Sequence, residues 1–327
     1  MDMLISVLLF AVGLVLLIKG GDWFVDGATG LAKRFRLPDI VVGATVVSIG
    51  TTLPEVMVST TGALAGSGAM AYGNAIGSII CNTALIAAIS ITVNPGPVNV
   101  KSMKTPAIFF FAAAALYCLA AYGLGTFPRW MGFVMLTIFV VYMLLTVRNG
   151  MKNPDTVEEE AEEEGGKERK LWQELLLLVV GAAVIAVGAD LLVDHGQIIA
   201  IGLGVPETVV ALLFVALGTS LPELVTTITS LKKGRASLGV GNVIGANIFN
   251  LVLVSGVAVS LAPFDVPVEN TLLNTGLNLS LVFDIPVMLG VMSLMIFPAM
   301  LGKKLSRWQG VALLCIYLAF VVCQFVL

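Results

Sequence analysis

Charged side chains are scarce in this chain. Only 12% of the 327 residues are Asp, Glu, Lys or Arg, whereas 58% are hydrophobic. A soluble domain carries about a quarter charged residues. This shortage excludes an ordinary soluble enzyme, and a net charge of −3 gives no reason to expect a nucleic-acid partner.

Residues that bind soft metals or form disulfides are also few. The single histidine, His195, falls in a predicted loop and has no His or Cys companion, and the four cysteines lie in apolar runs without a CxxC pair. We expect buried free thiols, and no zinc or copper site. No cofactor or enzymatic nucleophile–base set is apparent.

Long apolar runs are abundant, and runs of about 20 residues are long enough to cross a ~30 Å hydrocarbon layer. The first run lacks the basic start and small-residue cleavage site of a signal peptide, so we interpret it as a membrane span. Ten spans are predicted, at 3–19, 39–65, 68–92, 105–124, 127–147, 171–191, 207–231, 236–262, 275–299 and 306–326.

Basic residues predict the orientation of these spans. With the N-terminus outside, 17 of the 18 Lys and Arg residues fall in inner connections, and Arg129 alone falls outside. The positive-inside rule therefore predicts that both termini face outward in the cell membrane. The acidic segment 149–170 would then be a cytoplasmic linker between a first half (1–148) and a second half (171–327).

The two halves are internal repeats. A gapless alignment of the chain with itself that pairs Glu55 with Glu223, here called the repeat alignment, gives 23 identical pairs over the 66 positions from 20 to 85. Each half has five spans, so the second must enter the membrane from the opposite face. The predicted fold is an all-α polytopic membrane protein with ten helices in two inverted five-helix repeats, an architecture associated with secondary transporters.

Each half carries a glutamate within an apolar run, in "GTTLPE" at 50–55 and "GTSLPE" at 218–223. The preceding proline removes a backbone donor and disturbs the turn before it, so we expect free carbonyls near Ser48 and Thr51. Polar residues recur at helical spacings of three and four and so lie on or near one face of each helix. They are Ser48, Thr51, Thr52, Glu55 and Ser59 in span two, and Thr219, Ser220, Glu223 and Thr227 in span seven.

Spans three and eight add a stripe of amides and hydroxyls at steps of four. Its members are Asn74, Ser78 and Asn82 in span three, and Asn242, Ala246 and Asn250 in span eight. An alternative role for Asn74 and Asn242 is hydrogen bonding between helices. Asp284 of span nine could cap a broken helix, pair with a polar group or take part in ion coupling.

Two carboxylates with amides, hydroxyls and carbonyls make an all-oxygen site, which suits Ca²⁺. Two glutamates neutralise one Ca²⁺, and an uncompensated charge inside a bilayer is costly. After Ca²⁺ leaves, the carboxylates need Na⁺ or H⁺ before the protein can reorient, which predicts obligatory exchange. The alternative for a single intramembrane glutamate is a protonated, hydrogen-bonded structural role.

The paired motifs "GTTLPE…GNAIGSIICN" and "GTSLPE…GNVIGANIFN" resemble the two alpha-repeats of the cation/calcium exchanger superfamily, and the chain is most similar to its small prokaryotic Na⁺/Ca²⁺ exchangers. The resemblance implies an ion-binding core of spans two, three, seven and eight, with spans one and six sliding across it. It implies ion ligands at Glu55, Glu223, Asn82, Asn250, Thr51, Thr52, Ser78, Thr219 and Ser220, and at the carbonyls of Ser48 and Ala216.

One position departs from part of that family. Some sodium-coupled members carry Asp where Asn250 stands, and Ala246 lacks the hydroxyl of its counterpart Ser78. We therefore expect a Ca²⁺ antiporter acting as a monomer in the bilayer, with Na⁺ as the counter-ion and H⁺ as the alternative. A passive Ca²⁺ channel is a third possibility, and it would carry Ca²⁺ without a counter-gradient.

Overall fold

The computed structural model describes residues 3–151, 169–203, 218–267 and 278–326, and these are almost entirely helical. Ten helices occur within these ranges. They are α1 (Met3–Phe35), α2 (Asp39–Leu64), α3 (Gly68–Val93), α4 (Val100–Leu124), α5 (Arg129–Met151), α6 (Leu171–Gly202), α7 (Leu221–Lys232), α8 (Ala236–Leu261), α9 (Ser280–Gly302) and α10 (Arg307–Val326).

Within the described residues, nine of the helices are long and apolar enough to cross a membrane. The remaining helix, α7, is the described part of the predicted span 207–231, whose first half lies outside the described residues. The start of the predicted span 275–299 lies outside them as well. The predicted all-helical membrane fold is confirmed.

The first and sixth helices extend well beyond the predicted spans 3–19 and 171–191. Helix α1 has 33 residues and α6 has 32, because both remain helical past the point where charged residues end the apolar run. His195 therefore lies in α6, buried at 7% exposure, and its predicted placement in a loop was wrong.

Glycines let α1 and α6 pack backbone to backbone as an antiparallel pair. Gly13, Gly20 and Gly27 of α1 face α6 at every second turn, and Gly181 and Gly188 face α1 in return. A methyl group at Gly181 would lie 2.6 Å from the Phe24 backbone nitrogen, which is inside van der Waals contact. These glycine positions of the α1–α6 seam therefore have no room for a side chain larger than hydrogen.

The other helices form a separate core around α2, α3 and α8. In the most apolar 18-residue window of each helix, 83% of the residues are buried in α8, 72% in α3 and 61% in α2, against 22% in α1 and α6. Apolar side chains of α3, α4, α5, α8, α9 and α10 make one large buried cluster, whereas α1 and α6 pack with the start of α2 in another. The polar motifs thus lie at the centre, and the α1–α6 pair lies at the edge.

Two short antiparallel ribbons link the repeats. Strand β1 (Gly96–Pro97) pairs with β4 (Lys304–Leu305), and β2 (Thr126–Phe127) pairs with β3 (Phe264–Asp265). The repeat alignment matches β1 with β3, but β2 matches β4 only after a gap is opened in the first half. The second half therefore carries additional residues between β3 and α9. With that gap, the dipeptide "RW" that begins at Arg129 aligns with the one that begins at Arg307.

These equivalent arginines make equivalent contacts. Arg129 Nη2 donates to the Leu261 carbonyl at 3.2 Å, and Arg307 Nε donates to the Thr92 carbonyl at 3.0 Å. Each contact joins the start of one repeat's last helix to the end of the other repeat's third helix. The inverted relation between the halves thus extends through the whole described chain.

Candidate functional site

Helix α2 changes its winding just before the first motif. Gly43–Val47 form a π-helical turn, and Ser48 closes it by donating from Oγ to the Gly43 carbonyl at 2.8 Å and to the Asn242 carbonyl at 2.9 Å. The helix then continues through Pro54 as a regular α-helix from Ser48 to Leu64. The irregular turn therefore lies one to two turns earlier than the sequence predicted.

Asn82 and Asn250 occupy equivalent irregular turns. Each begins a π-helical segment, Asn82–Ala87 in α3 and Asn250–Val254 in α8. The segment at Asn82 contacts α7, which carries Glu223, and the segment at Asn250 contacts α2, which carries Glu55. A π-turn redirects the residues beside it, and such turns are frequent at functional sites. Each repeat thus places its amide against the other repeat's glutamate helix.

Glu55 and Glu223 are both fully buried, at 0% exposure. Their carboxyl groups are close enough to interact electrostatically. The Thr51 and Thr52 hydroxyls lie beside the Glu223 carboxyl, although among the described residues no partner meets hydrogen-bond geometry for any of the four carboxyl oxygens.

Two hydrogen bonds cross between the repeats at this level. Thr51 Oγ1 donates to Asn242 Oδ1 at 3.1 Å, and Thr219 Oγ1 donates to Asn74 Oδ1 at 3.3 Å. The repeat alignment pairs Thr51 with Thr219 and Asn74 with Asn242, so the two bonds are equivalent. Asn74 also donates to Ser59 Oγ at 2.9 Å. Both amides are therefore used between helices, which agrees with their alternative, structural role.

A second set of polar atoms is buried without hydrogen-bond partners among the described residues, and several of its members form repeat-related pairs. These pairs are Glu55 with Glu223, Asn82 with Asn250, and Thr52 with Ser220. All six side chains are 0–1% exposed. Unpaired polar groups in a protein interior are costly, so these atoms need a ligand to compensate them. Carboxylate, amide and hydroxyl oxygens fit a hard cation such as Ca²⁺ or Na⁺.

The remaining predicted ligands have mixed positions. Ser78 is buried on α3 at 3% exposure, whereas Thr219 is half-buried and uses its hydroxyl for Asn74. The Ser48 hydroxyl is used within the fold. Ala216 lies outside the described residues.

Sequence reasoning missed two features near this centre. The buried Cys81 thiol lies near both glutamates, and its place directly before Asn82 was the only signal. Asn247 Nδ2 donates to Thr83 Oγ1 at 2.7 Å and approaches Met292 Sδ at 3.1 Å, which joins α8, α3 and α9. The repeat alignment pairs Asn247 with Ile79, so the internal symmetry could not have identified it.

The sequence model of the family described as "Sodium/calcium exchanger protein" matches residues 5–148 and 174–326. The chain belongs to the sodium/calcium exchanger family. An uncharacterized membrane protein of Methanocaldococcus jannaschii is 32% identical over 309 residues, which cover 94% of each chain. Sodium/calcium exchanger MaX1 of Methanosarcina acetivorans is 29% identical over 98% of this chain and 99% of its own.

The fold of this family member also matches a solved structure. The sodium-calcium exchanger NCX_Mj superposes with a TM-score of 0.79 at 29% identity, covering 99% of this chain and 100% of the other. This structural match covers both repeats. The chain is therefore a polytopic membrane transporter of the exchanger family.

Proposed function

We propose that this family member is a secondary active antiporter that exchanges Ca²⁺ for Na⁺ by alternating access. The observation that carries the proposal is the three repeat-related pairs of buried, unpaired polar side chains, on α2, α3, α8 and the start of α7. A transported cation supplies the partner that these atoms need. Two of the similar proteins, MaX1 and NCX_Mj, are sodium/calcium exchangers, which supports the choice of ions.

The proposed ligands comprise two charged carboxylates and a set of neutral oxygens. Glu55 and Glu223 supply two negative charges, which balance one Ca²⁺. Neutral oxygens then complete a coordination shell of the 6–8 ligands that Ca²⁺ takes. They come from the side chains of Asn82, Asn250, Thr51, Thr52, Ser78, Thr219 and Ser220, and from the carbonyls of Ser48 and Ala216.

Exchange follows from charge compensation. When Ca²⁺ leaves, two carboxylates remain buried at 0% exposure, and moving them in that state is unfavourable. Two Na⁺ ions restore neutrality and permit the return step. An uncoupled cycle would require the empty, charged site to reorient, which the burial opposes.

The arrangement of helices favours alternating access. Helices α1 and α6 are joined by their glycine seam and lie beside the core that carries the ligands. The pair can shift as one body against α2 and α7 and so expose the ligands to either side. Inverted repeats provide two related conformations for such a cycle.

The predicted membrane orientation belongs to this proposal. Both termini would face outward in the cell membrane, and the linker at 149–170, between the repeat halves 1–148 and 171–327, would be cytoplasmic. All ligands come from one chain, so a monomer is sufficient for transport.

Flux of ⁴⁵Ca²⁺ into proteoliposomes tests the function and the site together. Vesicles loaded with Na⁺ should accumulate Ca²⁺ after dilution into Na⁺-free buffer, and Glu55→Gln or Glu223→Gln should reduce uptake to background. Asp284→Asn is the matched control, because this carboxylate is also membrane-embedded but is paired with Gln324 Nε2 at 2.7 Å. It should retain uptake.

The same assay separates the alternatives. The neutral Asn250 reduces the charge available for several Na⁺ ions, which favours H⁺ coupling as the second candidate. Uptake driven by a pH gradient and unaffected by Na⁺ would establish that alternative. Equal uptake with no gradient would instead indicate a channel, and retained uptake in both glutamate variants would reject the site.

A further inference from the structure

A cavity of about 520 Å³ lies between the α3–α4 and α9–α10 connections, beside the β1–β4 ribbon. It is lined by residues 95–97 and 302–307. Three of the lining residues are the cations Lys303, Lys304 and Arg307, and no acidic residue contributes to the lining. Within the described chain, neither lysine forms an ion pair. The cavity is therefore an uncompensated positive concavity.

The equivalent position in the other repeat shows that this charge is not required by the fold. Alignment of the two "RW" positions, Arg129 and Arg307, also aligns Gly125 with Lys303 and Thr126 with Lys304. Each of the two connections contributes a strand to a two-stranded ribbon of the same kind, β1–β4 or β2–β3. The two ribbons are on opposite faces of the inverted-repeat fold. Lysines occupy these two positions in one copy only.

The backbone strengthens this comparison. Gly125 has φ +67° and Lys303 has φ +53°, so both are in the left-handed region. Glycine adopts this region freely, whereas a side chain there costs free energy. A lysine at such a position is unfavourable for the turn itself, and its side chain is exposed beside the cavity.

The surroundings indicate the source of the ligand. Leu301 is 86% exposed and Trp308 is 56% exposed, and these apolar and aromatic residues flank the lining segment 302–307 in the sequence. Exposed tryptophan at a helix end is typical of the membrane interface. Basic pockets between membrane helices on the cytoplasmic side bind anionic headgroups, and the predicted orientation places this cavity on that side.

We propose that the cavity bounded by Pro95–Pro97 and Gly302–Arg307 binds the phosphate headgroup of an anionic phospholipid. The Lys303 and Lys304 ammonium groups and the Arg307 guanidinium pair with the phosphate oxygens. The acyl chains extend past Leu301 and Trp308 into the bilayer. The site is separate from the ion ligands, so it rests on the predicted orientation of the proposed function but not on which ions are exchanged.

The repeat itself supplies the test variant. Lys303→Gly with Lys304→Thr converts the inner ribbon to the residues of its partner copy, and glycine suits the left-handed backbone, so the turn should remain folded. Binding of phosphatidylglycerol to the purified full chain is measured by native mass spectrometry and by titration in phosphatidylcholine nanodiscs. We expect about 25-fold weaker binding, since each lysine near an anionic lipid contributes roughly a factor of five.

Lys101→Gln with Lys104→Gln is the matched control. It removes the same charge from the same predicted face, outside the cavity lining, and should leave binding within about twofold of the unmodified chain. Equal weakening in both double variants would show a diffuse electrostatic effect and overturn the site. Displacement of the lipid by millimolar inorganic phosphate would overturn the lipid headgroup as the ligand, and no displacement supports it.

Discussion

Asn250 is the residue whose chemistry bears most directly on the coupling ion. It is fully buried, its side-chain oxygen and nitrogen lack partners among the described residues, and its π-turn contacts the helix of Glu55. As an amide it leaves the candidate site with two carboxylates. The number of monovalent cations needed for the return step should therefore equal the number of buried carboxylates.

Asn250→Asp should therefore steepen the Na⁺ dependence of Ca²⁺ transport by about one ion, because each additional buried carboxylate needs one compensating positive charge. The Hill coefficient for Na⁺ in ⁴⁵Ca²⁺ flux measures this change. Asn82→Asp is the matched variant in the other repeat, and a similar effect is expected there. An unchanged Hill coefficient in both variants would contradict the two-carboxylate account.

At the scale of helices, the tight contact between α1 and α6 distinguishes this pair from the rest of the molecule. Backbone atoms of the two helices meet directly along the seam, since glycines occupy both sides. Such close packing transmits displacement of one helix to the other. It also makes the pair sensitive to a single added methyl group.

Gly181→Ala should destabilise the protein by about 1–3 kcal/mol, the usual cost of overpacking, because its methyl group would lie 2.6 Å from the Phe24 nitrogen. Gly290→Ala on α9 is the control, since a methyl group there meets nothing within 4 Å. It should leave stability unchanged or raise it slightly, as alanine is the better helix former. Thermal unfolding in detergent compares them, and equal melting temperatures would contradict the seam.

Helix composition predicted this region only in part. Apolar runs located α1 and α6, and spacing located the polar faces of α2 and α3. The apolar run, however, ends at Lys19. Helix formation also depends on local propensity and on packing against α6, so the part of α1 from Gly20 to Phe35 was missed. The irregular turn of α2 was predicted one to two turns too late, and those at Asn82 and Asn250 were missed; these two lie where one repeat contacts the other.

At the scale of the whole molecule, the repeats are symmetric in the site but not at the two ends of the α1–α6 pair. Lys233 Nζ bonds Asp26 Oδ1 at 2.6 Å and the Asp22 carbonyl at 3.0 Å, which ties α1 to the α7–α8 connection. The repeat alignment pairs these aspartates with Asp190 and Asp194 of α6, and it pairs Lys233 with Ala65. Alanine cannot form the equivalent ion pair.

Lys233→Gln should loosen one end of the pair alone. Hydrogen–deuterium exchange is expected to rise about two- to fivefold in residues 20–35, since a partly exposed ion pair contributes up to about 1 kcal/mol, and to stay constant in 188–203. Lys232→Gln is the control, because this neighbouring lysine is exposed and forms no ion pair within the described residues. Equal exchange in both variants would contradict the contact.

The gapless repeat predicted the candidate pairs Glu55–Glu223 and Asn82–Asn250, because one alignment holds without interruption through all four core helices. It could not predict the equivalence of Arg129 and Arg307, which lies beyond the additional residues of the second half. It also could not show that Thr51 and Thr219 bond to amides of the opposite half. Those bonds depend on how the halves meet, and composition does not encode that.

The contacts between the halves have a consequence for the origin of the chain. Both ribbons, the α1–α6 seam and the threonine–asparagine bonds all join one repeat to the other. A half-length ancestor with these surfaces would have had its partners only on a second copy inserted in the opposite direction. Such an ancestor would be an antiparallel homodimer of dual-topology subunits. In a single chain the two halves can differ, as they do at Asn247 and Lys303.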